Sequence, residues 1–252
     1  MCAGRDCARS PRQGRSAVIL PVRDNIESRS PPVVTVGLIV GCGVVFYYQL
    51  TNPVVTAQYD FDAHKLISVN LLRDPVRVLA TLVTSVFLHA PNNFMHIVAN
   101  MLFLWIFGDN VEDRLGKIRF LLFYVLCGVA ANLTQAIFSG FKATTIGASG
   151  AVAGVMAAYF ISFSGSRVLV FFFPFSLFIG LIPIPARLFI FVWIVMQVFA
   201  GAGALGGQPT AIAWFAHIGG FLTGWVLCKL MSPRPPSSPR GRSARLAWLR
   251  ER

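Results

Sequence analysis

The sequence predicts an all-α polytopic membrane protein with six spans, and three observations carry that prediction. Of its 252 residues, 55% are hydrophobic and only 13% are charged, a balance too apolar for a water-soluble globule. The mean hydropathy is +0.65, and the apolar residues gather into runs near the length that crosses a bilayer. The Lys and Arg lie in the tails and short loops and almost never inside those runs. A net charge of +12 is therefore read as orientation in a membrane, and no nucleic-acid partner is expected. Cys2, Cys7, Cys42, Cys127 and Cys228 show no paired metal spacing. The three that sit in apolar runs are read as small packing residues.

Residues 1–32 are polar, carry six Arg against Asp6, Asp24 and Glu27, and hold no apolar core long enough for a cleavable signal. They are expected to form a basic cytoplasmic segment. An Arg- and Ser-bearing start also suits an organelle transit peptide, although the interspersed acids and prolines argue against one. Residues 33–50 form the first span. The long first loop, about residues 51–93, contains Asp60, Asp62, Lys65, Arg73, Asp74 and Arg77 and ends in the apolar stretch 76–89. That stretch is too short and too closely flanked by charge to cross, so a helix lying along the interface is expected.

The second span is placed at residues 94–108, followed by a charged turn at 109–119 (DNVEDRLGKIR). The third runs over 121–139, and the fourth begins at or just before Ser149 and reaches about residue 163. The apolar region 168–204 is interrupted by Pro174, Pro183, Pro185 and Arg187 and has room for one span or two. The last span covers 212–230. Residues 231–252, rich in Pro, Ser and Arg, are expected to be disordered or surface-bound.

Charge counting decides between one span and two. With one, at about 188–202, both tails lie inside, where six N-terminal Arg join Arg114, Lys117, Arg119, Arg167, Arg187 and seven basic residues from Lys229 onward. The outside then receives only Lys65, Arg73, Arg77 and Lys142. A seventh crossing would send the basic C-terminal tail outward, against the positive-inside rule. Six crossings make residues 33–230 the membrane domain.

Six spans bring the polar residues into register. The second, fourth and sixth all run from outside to inside, so His96 with Asn100, Ser149, and His217 each fall within the first turns below the outer face. His217 lies roughly 8 Å below the start of its span by helical rise. Ionisable groups at such depth are costly and mark sites. Serine becomes a nucleophile when a base takes its proton, and an imidazole near neutrality can take that proton and return it to a leaving amine. Ser149 is accordingly read as nucleophile and His217 as base. His96 and Asn100 are one helical turn apart and share a face, which makes them candidate oxyanion donors together with the Ser149 backbone N–H. No carboxylate falls at that depth, so a dyad is expected. The small residues Gly147 and Gly150 leave room for a substrate backbone beside Ser149. Gly150 with Gly154, and Gly220 with Gly224, form GxxxG patterns directly after the serine and the base, the spacing that opens a groove for close helix contact.

FLHAPNNFMHIVANMLFLWIFGDNVEDRLGKIRFLLFYVLCG, TIGASGAVAGVMAAY and AHIGGFLTG resemble the three signatures of rhomboid intramembrane serine proteases. These are the HxxxN of the second span, the GxSG of the fourth and the His with paired glycines of the sixth. The similarity extends from about Leu20 to about Leu230. It implies a six-transmembrane-helix rhomboid-like bundle that hydrolyses peptide bonds in or near the transmembrane segments of other membrane proteins, without metal or organic cofactor. It carries nucleophile, base and oxyanion stabilisation to Ser149, His217, and His96 with Asn100. It also makes residues 203–211 a mobile cap over the site and, in a bacterial-type member, places the chain in the cytoplasmic (inner) membrane with both termini inside and the site facing outward. Two positions depart from the family pattern. Ala153 stands where some members have an aromatic residue against the base, and Val76 precedes Arg77 where some have Trp. The rival readings are a proteolytically inactive relative that binds membrane clients, and an unrelated transporter, which would predict internal repeats.

Overall fold

Helix ends leave backbone N–H and C=O groups that the helix itself cannot satisfy, and in this chain distant elements supply many of the partners. The computed structural model describes residues 18–173, 181–206 and 212–231. Its elements run β1 (Val18–Asp24), α1 (Val33–Thr51), α2 (Val54–Tyr59), β2 (Phe61–Asp62), α3 (His64–Ile67), α4 (Val69–Arg73), α5 (Pro75–Thr84), α6 (Phe94–Leu115), α7 (Lys117–Phe138), β3 (Thr144–Thr145), α8 (Ser149–Ser162), β4 (Arg167–Phe173), β5 (Leu181–Pro185), α9 (Ala186–Leu205) and α10 (Trp214–Met231).

Four helices, α1, α6, α7 and α9, are long and apolar enough to cross a membrane. Helix α8 has 14 residues, about 21 Å by helical rise, and α10 has 18. A helix that is apolar all round belongs in the middle of a bundle, and every residue from Gly150 to Tyr159 is buried. α8 packs chiefly on α10, α7 and α6. Its contact with α10 is backbone against backbone. A methyl group on Gly220 would collide with the Gly150 carbonyl, and one on Gly224 with Gly154. One on Gly154 would lie 2.5 Å from Cys127 Sγ and 3.1 Å from the Gly220 carbonyl oxygen. Cys42, Cys127 and Cys228 form no disulfide and are buried, as packing residues are.

The charged segment after the second span is not a turn. α6 remains helical to Leu115, and the chain reverses at Gly116, whose φ of 84° suits glycine. The acids stay helical because they point back into the protein. Helix α1 has no side-chain cap of its own at Pro32. Instead Glu112 accepts from Val34 N (3.0 Å), Thr35 N (2.7 Å) and Thr35 Oγ1 (2.8 Å), placing negative charge at a helix N-terminus. Ser28 donates to Asp109 at 2.9 Å and Ser30 to Asp113 at 3.0 Å.

The expected all-helical pattern also misses a small sheet. β1 pairs antiparallel with β4, and β4 with β5. Residues 18–24, assigned to the N-terminal tail from sequence, thus pair with the start of the apolar region 168–204. Short β-branched and aromatic runs such as RVLVFFF do not reveal by periodicity whether they are strand or buried helix. Among the described residues of that region there is one spanning helix, α9. Asp24 ties the sheet to the bundle: it accepts from Asn110 Nδ2 at 3.1 Å and from the Tyr159 hydroxyl. Arg187 Nε donates to the Phe160 carbonyl at 2.9 Å, satisfying one of the last acceptors of α8.

In the first loop, β2 pairs with β3. The expected interfacial helix is shorter than residues 76–89. It ends at Thr84, and the chain then folds inward to bury Val86, Leu88 and His89. Asp74 starts it by accepting from Arg77 N at 3.1 Å. Val76, Leu79 and Val83 are exposed at three- and four-residue spacing, an apolar stripe along α5, and Val69 and Leu72 are exposed on the separate short helix α4. Of the expected cap, residues 203–205 close α9, while 207–211 lie outside the described residues, as does the C-terminal tail from 232.

Candidate active site

Ser149 is the first residue of α8, preceded by a turn that only glycine can make. Gly147 has φ 124°, its N–H donates to the Ser85 carbonyl at 2.9 Å, and a methyl group there would lie 2.8 Å from both Cε1 and Nε2 of His96. The turn thus presses the serine loop against the His96 ring. The first N–H groups of α8 have no partner within the helix. Ala148, which precedes them, provides no side-chain cap.

The opposite wall comes from α6. His96 Nδ1 accepts from Ala90 N at 3.3 Å, so the ring proton sits on Nε2, the edge turned to Gly147. One turn on, Asn100 is buried and donates to the His96 carbonyl at 2.8 Å. α10 supplies His217. Its Nδ1 lies 2.7 Å from Gln197 Oε1 on α9, and the rings of Trp193 and Trp214 stand 5.7 Å and 6.2 Å from its own. Ser149, His217, His96 and Asn100 line one cavity of about 780 Å³, whose walls also include apolar residues such as Phe103, Met156 and Ile212. A smaller cavity of about 530 Å³ at Ser30, Glu112 and Lys117 has no histidine among its lining residues. Among the described residues no three His, Cys, Asp or Glu side chains are grouped to hold a metal ion.

The Rhomboid domain matches residues 77–234, a stretch that includes all four of these residues. The chain belongs to the rhomboid family. It is 33% identical over 165 residues to Rhomboid-like protein 11, chloroplastic, of Arabidopsis thaliana, covering 62% of this chain and 54% of that protein. It is 30% identical over 167 residues to the mitochondrial RHOMBOID-like protein 6 of the same plant (62% and 45%), and 28% identical over 173 residues to the mitochondrial Rhomboid protein 1 of Saccharomyces cerevisiae (63% and 45%). The chain thus spans about half the length of these curated relatives. Their named compartments are chloroplast and mitochondrion, which lend no support to the expected bacterial inner membrane.

Several residues at the site of this rhomboid escaped the sequence reading. Gln197 and Trp193 of α9 stand beside the His217 ring. Gln197 carried a signal, being a lone polar residue within the apolar run of α9. His89 carried none. Its ring is fully buried and stands edge-on to His96 at 5.3 Å, while its backbone exchanges hydrogen bonds with Gln49 of α1 (His89 N to Oε1 3.0 Å, Nε2 to His89 O 2.9 Å). Burial first, and the neighbouring His96 second, push the His89 imidazole down to about 4. It is neutral at physiological pH and adds no charge beside His96.

Proposed function

We propose that this rhomboid is an intramembrane serine endopeptidase that cleaves transmembrane segments of other membrane proteins. One observation carries the reading: a serine at a helix N-terminus, an imidazole with its Nδ1 already bonded, and two amide- or imidazole-type donors line a single apolar-walled cavity. His217 Nε2 takes the Ser149 hydroxyl proton as Oγ attacks the scissile carbonyl. The oxyanion is met by the Ser149 N–H, by the His96 Nε2–H and by the remaining N–H of Asn100. His217 then gives the proton to the leaving amine, and water hydrolyses the acyl-enzyme by the reverse transfers. A substrate segment must unwind to expose its carbonyl beside Ser149; Gly147 and Gly150, expected to leave room for its backbone, are instead taken up by packing against the His96 ring and against Ala131 of α7.

The proposal includes six crossings, with α8 and α10 as the two besides the four long helices. Both termini lie on the side rich in Arg and Lys, and the site lies toward the opposite face. Labelling by a small serine-directed phosphonate in detergent tests the chemistry. The expected result is labelling of the native chain and none of Ser149→Ala, with released ectodomains seen by mass spectrometry of membranes only for the former. Labelling that survives in the variant would remove the nucleophile.

A further inference from the structure

His217 has two ring nitrogens, and only one arrangement of its protons makes it a base toward Ser149. The neighbour of Nδ1 is the side-chain amide of Gln197, buried on the inner face of α9 together with Ala186, Ile190 and Gly201. The end of that amide facing His217 follows from its other bond. Gln197 Nε2 donates to the Trp193 carbonyl one turn back at 3.2 Å. A flipped amide would oppose two oxygens there and lose that bond, so the oxygen is the atom 2.7 Å from His217 Nδ1. A carbonyl oxygen only accepts. The Nδ1 of His217 therefore carries the hydrogen, and the lone pair of the neutral ring is on Nε2.

We infer that Gln197 is the positioning residue of the catalytic base, the neutral third member of a Ser149–His217–Gln197 triad. This rests on the proposed roles of Ser149 and His217. In the step itself the Oγ–H bond breaks and the proton moves to Nε2, the oxygen's electrons form the new C–O bond, and Nδ1–H stays in place. The positive charge stays on the ring and is stabilised by the partial negative charge of the amide oxygen that accepts from Nδ1–H. In soluble triads a carboxylate, or in some cysteine proteases an Asn, fixes the tautomer in this way. An amide meets the same geometric need without placing an unpaired anion among apolar helices. The rings of Trp193 and Trp214 flank the imidazole at 5.7 Å and 6.2 Å and limit its tilt, while the Gln197 bond sets its rotation and proton.

The test compares native chain, Ser149→Ala, Gln197→Leu and Gln197→Glu by cleavage of a model transmembrane substrate and by rate of phosphonate labelling, each across pH. Gln197→Leu keeps the length but cannot accept. Its kcat and labelling rate are expected to fall on the order of 10- to 1,000-fold with KM little changed, below the roughly 10⁴-fold cost of a wrongly held tautomer in carboxylate triads. Gln197→Glu restores the acceptor and adds a charge that favours the imidazolium. It is expected to retain most of the activity and to move the acidic limb of the kcat/KM profile upward by about one unit. Native kcat in Gln197→Leu, or an unmoved acidic limb in Gln197→Glu, overturns the assignment. If Gln197→Leu fails to fold, the Gln197→Glu profile decides alone. A native chain that neither cleaves nor labels would instead remove the Ser149–His217 reading, so the two failures are distinct.

Discussion

A single residue can meet a backbone need and a chemical need at once, and Gly147 shows how. Its positive φ excludes other side chains by strain, and the His96 ring 2.8 Å from where a methyl would sit excludes them by contact. His96 in turn is held by Ala90 N, which leaves its protonated nitrogen turned to Gly147 in the loop before Ser149. Asn100 spends one amide hydrogen on the His96 carbonyl and has one left for an oxyanion. Asn100→Ala is expected to lower kcat by about 10- to 10³-fold, the range for loss of one such donor, with little change in KM. Steady-state cleavage measures it. Full activity in both Asn100→Ala and His96→Ala would sink the oxyanion assignment.

At the scale of the element, α8 and α10 meet along their glycines because nothing larger fits. Gly220 and Gly224 press on the backbone of Gly150 and Gly154, and backbone cannot rotate aside as a side chain can. A single methyl is already too much. Gly220→Ala is expected to cost about 1–3 kcal/mol of stability through overpacking. It should lower cleavage more than the folded fraction falls, since it separates the helices that carry Ser149 and His217. Cleavage and thermal unfolding in one detergent read both effects. An Ala variant with native rate and native melting temperature would show that the two helices do not approach as described.

Across the whole molecule, Asp24 joins sheet and bundle through Asn110 and Tyr159. Burial, offset in part by the Tyr159 hydrogen bond and reinforced by nearby Asp109, pushes its carboxyl up to about 8. The folded chain therefore holds this proton more tightly than the unfolded chain, whose Asp titrates near the ordinary value of 3.8. Between those two values the folded state binds the extra proton, so stability falls as pH rises through the window and levels off above about 8. Asp24→Asn keeps an acceptor for Tyr159 and cannot ionise. Its melting temperature is expected to decline less than the native one between pH 5 and pH 9. Identical slopes would show that Asp24 does not titrate in that window.

Composition and local pattern alone determined the membrane class, the long apolar helices and the glycine spacing after Ser149 and His217, because each is a property of neighbouring residues. That His96, Asn100, Ser149 and His217 would share one cavity was legible for the same reason: costly polar groups stand out within apolar runs. Only the tertiary structure decided that residues 18–24 pair with 167–173, that Glu112 completes a helix beginning at Val33, and that Gln197 rather than an aromatic ring at position 153 meets His217. Each of these joins groups far apart in the chain. Periodicity cannot reveal such a pairing, since a short apolar strand, a helical acid or a lone glutamine acquires its meaning from the partner that folding brings beside it.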